Sequence, residues 1–447
     1  MSDRQLIFLS TPDIDLAKTL RQNNPDCIVI YWNKSATDIV SAKILASSCT
    51  HILADASILQ EVASELGMPV MPLIFPGKAR LTVRSGEKSA NRPIAFFVAS
   101  DTIAKMLKGV TAYLNVPYFY ILPSSKNEGA FESLLSDNVQ IFPNTAGLLA
   151  TKYPAILVLG NDWGGEEMDL IKSASRLKIP SVCIQEGCLD WQGEARRMQW
   201  ATYPFIQGPI TTEYLSREIY FLTGNPKFDT LTAVPLPTRP KVMVNCNFTY
   251  GIFEEERDRW LEDIATACIT TGFDFFISQH PRDKKQIEKY PVKRSNASVV
   301  HSQIAESSIL VSRFSTVIHE AVLMGRQAIY YNPHGEPMQL FNEDKTNGIY
   351  KASSLEELLA VFENLKNGRE LKASDSSNFA LLHCGSADGK ASQRCANSIQ
   401  EIRKWSGSFT VAFDRRIFYF IYEHIANGVG IMRHFVRNHV KPRIVFR

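Results

Sequence analysis

The chain has no cysteines at metal or redox spacing: its eight Cys stand at 27, 49, 183, 188, 246, 268, 384 and 395, none forms a CxxC pair, and most lie in apolar runs such as Ser181-Val-Cys-Ile. That pattern excludes a disulfide framework or a zinc knuckle and reads as reduced thiols inside a core. Long apolar runs are missing too. No stretch of 18 uncharged apolar residues occurs, and Met1-Ser-Asp-Arg-Gln-Leu-Ile-Phe-Leu-Ser has too short a run for a signal peptide, so the expectation is a cytoplasmic chain with no membrane span. There is no GxGxxG, no GxxxxGK[ST] and no HExxH, which disfavours an NAD dehydrogenase, a P-loop NTPase and a zinc hydrolase; no metal is expected. No repeat at a solenoid period is present.

What is there is ordinary globular material: 45% apolar and 21% charged residues exclude disorder and fibrous classes, and 447 residues allow two or three domains. The net charge of +3 is unevenly spread. Residues 407–447 carry seven Lys and Arg against Asp414 and Glu423, so a basic tail follows a mildly acidic body. This argues against nucleic acid as the main ligand and for an anionic surface met by the tail alone. The tail also holds apolar clusters, Ile417-Phe-Tyr-Phe-Ile-Tyr and Gly430-Ile-Met, which fits an amphipathic helix or a docking segment.

Short β-branched runs alternate with helix-period segments through the first half: Leu6-Ile-Phe-Leu, Cys27-Ile-Val-Ile-Tyr, His51-Ile-Leu-Ala, Ala95-Phe-Phe-Val, Tyr118-Phe-Tyr-Ile-Leu, Ala155-Ile-Leu-Val-Leu and Ser181-Val-Cys-Ile. Strands that are apolar on both faces and joined by helices make a parallel sheet, so the fold class is α/β. A second series follows the Pro-rich 234–240: strands at Lys241-Val-Met-Val, Phe273-Asp-Phe-Phe-Ile-Ser, Ser298-Val-Val, Ser308-Ile-Leu-Val-Ser and Gln327-Ala-Ile-Tyr-Tyr, with helices over 253–270, 315–325 and 354–367. The expected domains are 1–220, 221–405 and a tail, 406–447, with a polar surface excursion at 80–93.

In an open α/β sheet the loops at the carboxyl ends of strands form the ligand crevice. The exit of the 308–312 strand, Ser312-Arg313-Phe-Ser315-Thr316, opens a helix whose free N–H groups and positive dipole end suit a phosphate, with Glu320 one turn on to accept from a ribose hydroxyl. One strand and helix earlier, Gln279-His280-Pro281-Arg282 ends a strand with an imidazole and a guanidinium, both phosphate donors. Asn245 and Asn247 close the first strand of the second series and add donors. Three carboxylates are candidates for the chemistry. Glu186, between Gln185 and Gly187, is placed for a general base; Asp162 follows the most apolar strand of the first half; Asp229, in Thr223-Gly-Asn225-Pro-Lys-Phe-Asp, is either a nucleophile or a capping residue of a turn.

These residues, over roughly 155–395, resemble the GT-B glycosyltransferase branch of bacterial capsule and lipopolysaccharide assembly: CMP-sugar-dependent Kdo and sialic acid transferases, CDP-glycerol glycerophosphotransferases and, more distantly, UDP-N-acetylglucosamine 2-epimerases. The resemblance implies two Rossmann-like domains with parallel sheets facing across a cleft, acceptor on the N-terminal side and nucleotide sugar on the C-terminal side. His280-Pro281 is similar to the branch's phosphate-contacting His-Pro, Ser315/Thr316 to its hydroxyl pair, Gln185-Glu186-Gly187 to its acidic-acidic-Gly motif, and 386–394 to its closing helix. The first acidic position is here Gln185, and the GNPKFD segment resembles that of retaining β-Kdo transferases, which makes Asp229 a nucleophile candidate with Glu186 or Asp162 as acid/base. The implied function is transfer of a sugar, Kdo from CMP-Kdo first, to a surface polysaccharide or glycolipid at the inner leaflet, with no tightly bound cofactor. The alternatives are a 2-epimerase, a CDP-polyol phosphotransferase and a non-catalytic assembly partner.

Overall fold

The computed structural model describes residues 92–124, 134, 139–189, 197–215, 219–249 and 251–406, with four short strands at 6–9, 28–32, 51–53 and 75–76. Residues 80–91 of the polar excursion and the tail, 407–447, lie outside the described residues. The chain forms two compact units: one of 82–183, 200–203 and 396–447, the other of 1–81, 184–199 and 204–395.

In the first unit the strands Ile94–Phe97, Tyr118–Leu122, Gln140–Pro143 and Ile156–Leu159 pair in parallel, and 181–183 pairs in parallel with 157–159. Ile94–Phe97, Ile156–Leu159 and Ser181–Ile184 are buried along their whole length, as continuous apolar runs in a parallel sheet must be. Ser100 starts the helix Asp101–Thr111 by accepting from Ile103 N, and Thr111 Oγ1 meets Tyr120 OH at 2.8 Å in the core.

The second unit holds a six-stranded parallel sheet, in spatial order Val292–Arg294, Asp274–Gln279, Lys241–Cys246, Ile309–Ser312, Gln327–Tyr331, Tyr350–Ala352. One face packs on the helices Arg257–Thr271 and Leu355–Lys366 through Trp260, Ile264, Leu358 and Phe362. The other packs on Thr316–Leu323 and Ala373–Cys384 through Ile318, Ala321 and Phe379. Strand order reverses beside Lys241–Cys246, which puts the switch point of a doubly wound sheet at that strand and Ile309–Ser312. The same unit carries Ile219–Leu222, parallel to Tyr203–Ile206 at Phe205↔Phe221 and antiparallel to Ile28–Trp32. The six described cysteines are buried thiols outside any disulfide, and burial pushes the Cys268 thiol up to about 12.

One expected strand is a helix. Ser298-Val-Val leads into the helix Val300–Ala305, and the edge of the sheet is Val292–Arg294 instead. Asn296 Oδ1 accepts from Ser298 N at 2.7 Å and Val299 N at 3.2 Å, a local turn that bends the chain into a helix despite two β-branched residues.

The loop after Asp274–Gln279 is anchored from beneath. Arg257 and Asp283, each with a side chain 3% exposed, pair at 2.9 Å, and Arg257 Nη2 and Gln279 Nε2 both donate to Lys285 O. Removing one partner of such a pair leaves a buried charge uncompensated, so Arg257→Ala is expected to lower the unfolding free energy by about 3–5 kcal/mol, read by urea titration.

Candidate functional site

Register aligns three strand exits. Asn245 lies opposite both Ser278 and Ser312, so His280, Asn247 and Ser315 leave the same edge of adjacent strands, the outer two roughly 10 Å apart at two strand spacings. His280 N donates to Cys246 O, Asn245 Nδ2 donates to Ser312 Oγ at 2.9 Å, and Asn247 Nδ2 donates to Phe314 O at 2.8 Å, so the exits are tied to one another. Ser315 is extended and caps Thr316–Leu323, its Oγ accepting from Val317 N. His280 is half-buried and its Nδ1 accepts from Arg282 N at 3.2 Å. A neutral ring held that way carries its proton on Nε2, away from the backbone. Burial, opposed only by the Asp283 carboxylate, pushes this imidazole below the ordinary His range. Asn247 Oδ1 is buried with no hydrogen-bond partner, an acceptor between the His280 loop and the helix start. Pro281 and Arg282 are exposed on the same loop.

A second group of loops meets the same helix start. Thr316 Oγ1 accepts from Cys188 N at 3.0 Å, and a Cβ on residue 187 would lie 2.5 Å from that oxygen, so Gly187 is what lets the loop come so close. Gln185 is a tether: its Oε1 accepts from Gln207 N and Thr211 Oγ1, and its Nε2 donates to Gly187 O. Asn225 Nδ2 donates to Glu186 O and Gln207 Oε1, while its Oδ1 accepts from Lys227 N in the 3-10 turn Pro226–Phe228. Lys227 thereby reaches Glu186 Oε1 at 3.3 Å and Glu320 Oε1 at 3.9 Å. Glu320 Oε2 lies 3.2 Å from His301 Nε2. Burial opposes the charge on Lys227, but Glu186 and Glu320 outweigh it and hold the ammonium above the usual lysine range. Burial likewise opposes the charge on Glu320, yet His301 and Lys227 hold it below the usual carboxylate range. Behind the loop a small cavity is lined by Gln185, Gln207, His319 and His383, with His319 kept neutral by burial.

The sequence candidates therefore separate. Glu186 has a side chain 37% exposed beside the helix start. Glu320, expected to face a ribose, is 5% exposed and engaged by Lys227 and His301. Arg313 is buried, paired with Glu336, donating to Ile252 O and lying over the Phe248 ring, so its guanidinium is held among the chain's own groups. Asp229 accepts from Ala391 N and Ser392 N, both at 2.7 Å, and so caps the closing helix Ala391–Ser406. Asp162 belongs to the other unit, fully buried, its Oδ2 accepting from Trp200 N and Ala201 N. Sequence reasoning passed over Lys227, Gln207 and His301. Lys227 stood inside a segment already singled out for its turn; the other two carry no local signal. Among the described residues no group of three or more His, Cys, Asp or Glu is placed to hold a metal, and no helix is long and apolar enough to cross a membrane.

No family model matches the chain, and no curated protein does. Solved structures do match. A UDP-N-acetylglucosamine 2-epimerase homologue from Listeria monocytogenes is similar at 12% identity and a TM-score of 0.53, over 70% of this chain and 96% of that one. The UDP-GlcNAc 2-epimerase of Methanocaldococcus jannaschii, in complex with UDP-GlcNAc and UDP, is similar at 13% identity and a TM-score of 0.50, over 69% and 99%. The enzyme of Neisseria meningitidis, bound to UDP-GlcNAc, is similar at 11% identity and a TM-score of 0.50, over 69% and 100%. At such identities the likeness is one of fold: two α/β domains of the GT-B type.

Proposed function

We propose that this chain is a nucleotide-sugar-dependent glycosyltransferase whose donor phosphates sit between His280 and the Ser315-capped start of Thr316–Leu323, with Glu186 as the reacting carboxylate. The observation that carries this reading is the shared edge: His280 Nε2 and a helix N-terminus leave aligned strand exits with Asn247 between them, and the loop that bears Glu186 is bonded to that same helix start. The imidazole Nε2–H and helix-terminal N–H groups stabilise phosphate oxygens, and the helix dipole adds to them. Glu186 is then the group placed to take the proton of an acceptor hydroxyl. Arg282, exposed on the His280 loop, is a further phosphate donor.

The finer assignment, CMP-Kdo as donor and a surface glycan or glycolipid as acceptor, rests on the His280-Pro281, Gln185-Glu186-Gly187 and Gly224-Asn225-Pro226-Lys227-Phe228-Asp229 resemblance. In it the basic 407–447 brings the enzyme to an anionic leaflet. UDP-sugar 2-epimerisation is the second reading, favoured by the fold shared with epimerases, two of them bound to UDP-GlcNAc. Incubation with CMP-Kdo or UDP-GlcNAc, each with and without glycan acceptor, decides: release of CMP that depends on acceptor is the expected result, and a 2-epimer formed from UDP-GlcNAc alone overturns transfer.

Three outcomes follow for the residues. His280→Ala is expected to weaken CMP or UDP binding by about 10- to 100-fold in calorimetry, the loss of one hydrogen bond to a charged group. Because burial depresses the free imidazole and a bound phosphate raises it, binding takes up a proton. Affinity should thus rise as pH falls through the imidazole's titration, and lose this slope in His280→Ala. Glu186→Gln is expected to lower kcat roughly 100- to 10,000-fold with nucleotide affinity nearly unchanged; an equal fall in both makes Glu186 a binding group only. Asp229→Ala should cost about 1–2 kcal/mol of stability as a lost helix cap and leave kcat within about threefold below the melting transition. Loss of kcat at unchanged stability, with a trapped glycosyl adduct on the native Asp229, would instead make it a nucleophile.

A further inference from the structure

Among the described residues, Lys227 touches both the carboxylate loop and the phosphate helix with charge. Its ammonium is 3.3 Å from Glu186 Oε1 and 3.9 Å from Glu320 Oε1, on a side chain 18% exposed, while the Glu320 side chain is 5% exposed. A carboxylate as buried as Glu320, on the second turn of Thr316–Leu323, is costly without a cation, and Lys227 supplies it, with His301 Nε2 beside the other oxygen. Nor is the lysine free to wander: Asn225 Oδ1 holds its backbone N–H at 3.0 Å, Pro226 fixes the turn ahead of it, and buried Phe228 anchors the turn behind. Asn225 Nδ2 simultaneously holds Glu186 O at 3.1 Å. Thus one turn grips the main chain of residue 186 with an amide and its side chain with an ammonium, and grips the helix through Glu320.

We propose that Lys227 is a positioning residue that clamps the Glu186 carboxylate to the start of Thr316–Leu323, so that the reacting carboxylate and the phosphate seat keep one geometry. The role of Glu186 in turnover is taken from the function proposed above; the clamp itself is not. Two distances explain the residue type. A compact ammonium on a flexible stem reaches carboxylates on two different segments, whereas a planar guanidinium directs its paired N–H groups at one. His301, 38% exposed, lies on the far side of Glu320, so the charged coupling between the segments runs through Lys227, beside the hydrogen bond from Cys188 N to Thr316 Oγ1.

The test compares Lys227→Met, Lys227→Arg and Lys227→Cys treated with 2-bromoethylamine, which rebuilds an ammonium with a sulfur in the stem; wild type receives the same treatment. In nucleotide-free protein, amide hydrogen exchange over 185–188 is expected to speed up at least about 10-fold in Lys227→Met, while the sheet strands keep wild-type rates. Turnover of the nucleotide sugar should show kcat lowered at least about 30-fold with CMP or UDP affinity within about threefold, since misplaced catalytic groups cost rate rather than ground-state binding. Aminoethylation of Lys227→Cys should restore exchange and kcat, and Lys227→Arg should restore neither fully. Wild-type exchange over 185–188 in Lys227→Met overturns the clamp, as does nucleotide affinity that falls in step with kcat. Wild-type protein that binds nucleotide and turns nothing over sinks the transferase reading, and the exchange measurement then decides the clamp by itself.

Discussion

The start of Thr316–Leu323 meets the loop of Glu186 through one hydroxyl, Thr316 Oγ1, which accepts the Cys188 N–H where a side chain at residue 187 would collide with it. A helix whose first turn is pinned in this way cannot shift along its axis without breaking contact with the loop that carries Glu186. The helix itself packs through Ile318 and Ala321 against the sheet, and its cap, Ser315, is extended at the strand exit. Backbone N–H groups, loop and carboxylate therefore share one frame. His280 is tied to the same frame through Cys246 O, and its loop rests on the Arg257–Asp283 pair below. Donors held in place before a ligand arrives need little reorganisation when it binds.

The α/β class was legible in the sequence because strands buried on both faces cannot hide their apolar runs. Ile309–Ser312 and Ile156–Leu159 are entirely buried and were visible as such. Tyr203–Ile206 and Val292–Arg294 were not seen: the first is interrupted by Pro204, and the second is a three-residue edge strand with Lys293 and Arg294, polar because nothing pairs beyond it. Ser298-Val-Val misled for the opposite reason, since β-branched composition speaks for a strand and one asparagine carboxamide overrules it.

Local contacts were legible where the backbone makes them and illegible where a distant side chain decides them. Ser315 as a cap follows from an extended Ser ahead of an apolar helix, and the structure has that cap. Arg313 reads equally well as a phosphate donor, yet its guanidinium pairs with Glu336, with Phe248 beneath it, and nothing local in Ser312-Arg313-Phe314 announces a partner 23 residues on. Glu320 is the same case in the other sign: helical spacing puts it on the right face, but Lys227 and His301 come from other segments. An ion pair formed across the fold is a property of packing, and one sequence holds no record of which opposite charge arrives.

The three carboxylates show what burial and backbone donors do to one functional group. Asp162 is fully buried and Asp229 partly so, and each accepts two backbone N–H groups, Asp162 with one oxygen and Asp229 with one donor per oxygen. A carboxylate committed in this way cannot approach a substrate carbon or proton without first leaving two N–H groups unsatisfied, a cost of order 1–3 kcal/mol for each buried group. Glu186 carries the opposite arrangement: its main chain is held by Asn225, while its side chain is partly exposed and meets the flexible Lys227 ammonium. Glutamate suits this position better than aspartate, because the extra methylene lets the carboxylate stand clear of a loop fixed by Gly187, Cys188 and Asn225. Asp162 and Asp229 are thus held at their oxygens by backbone N–H donors, while Glu186 is held through its main chain and by one side-chain ammonium.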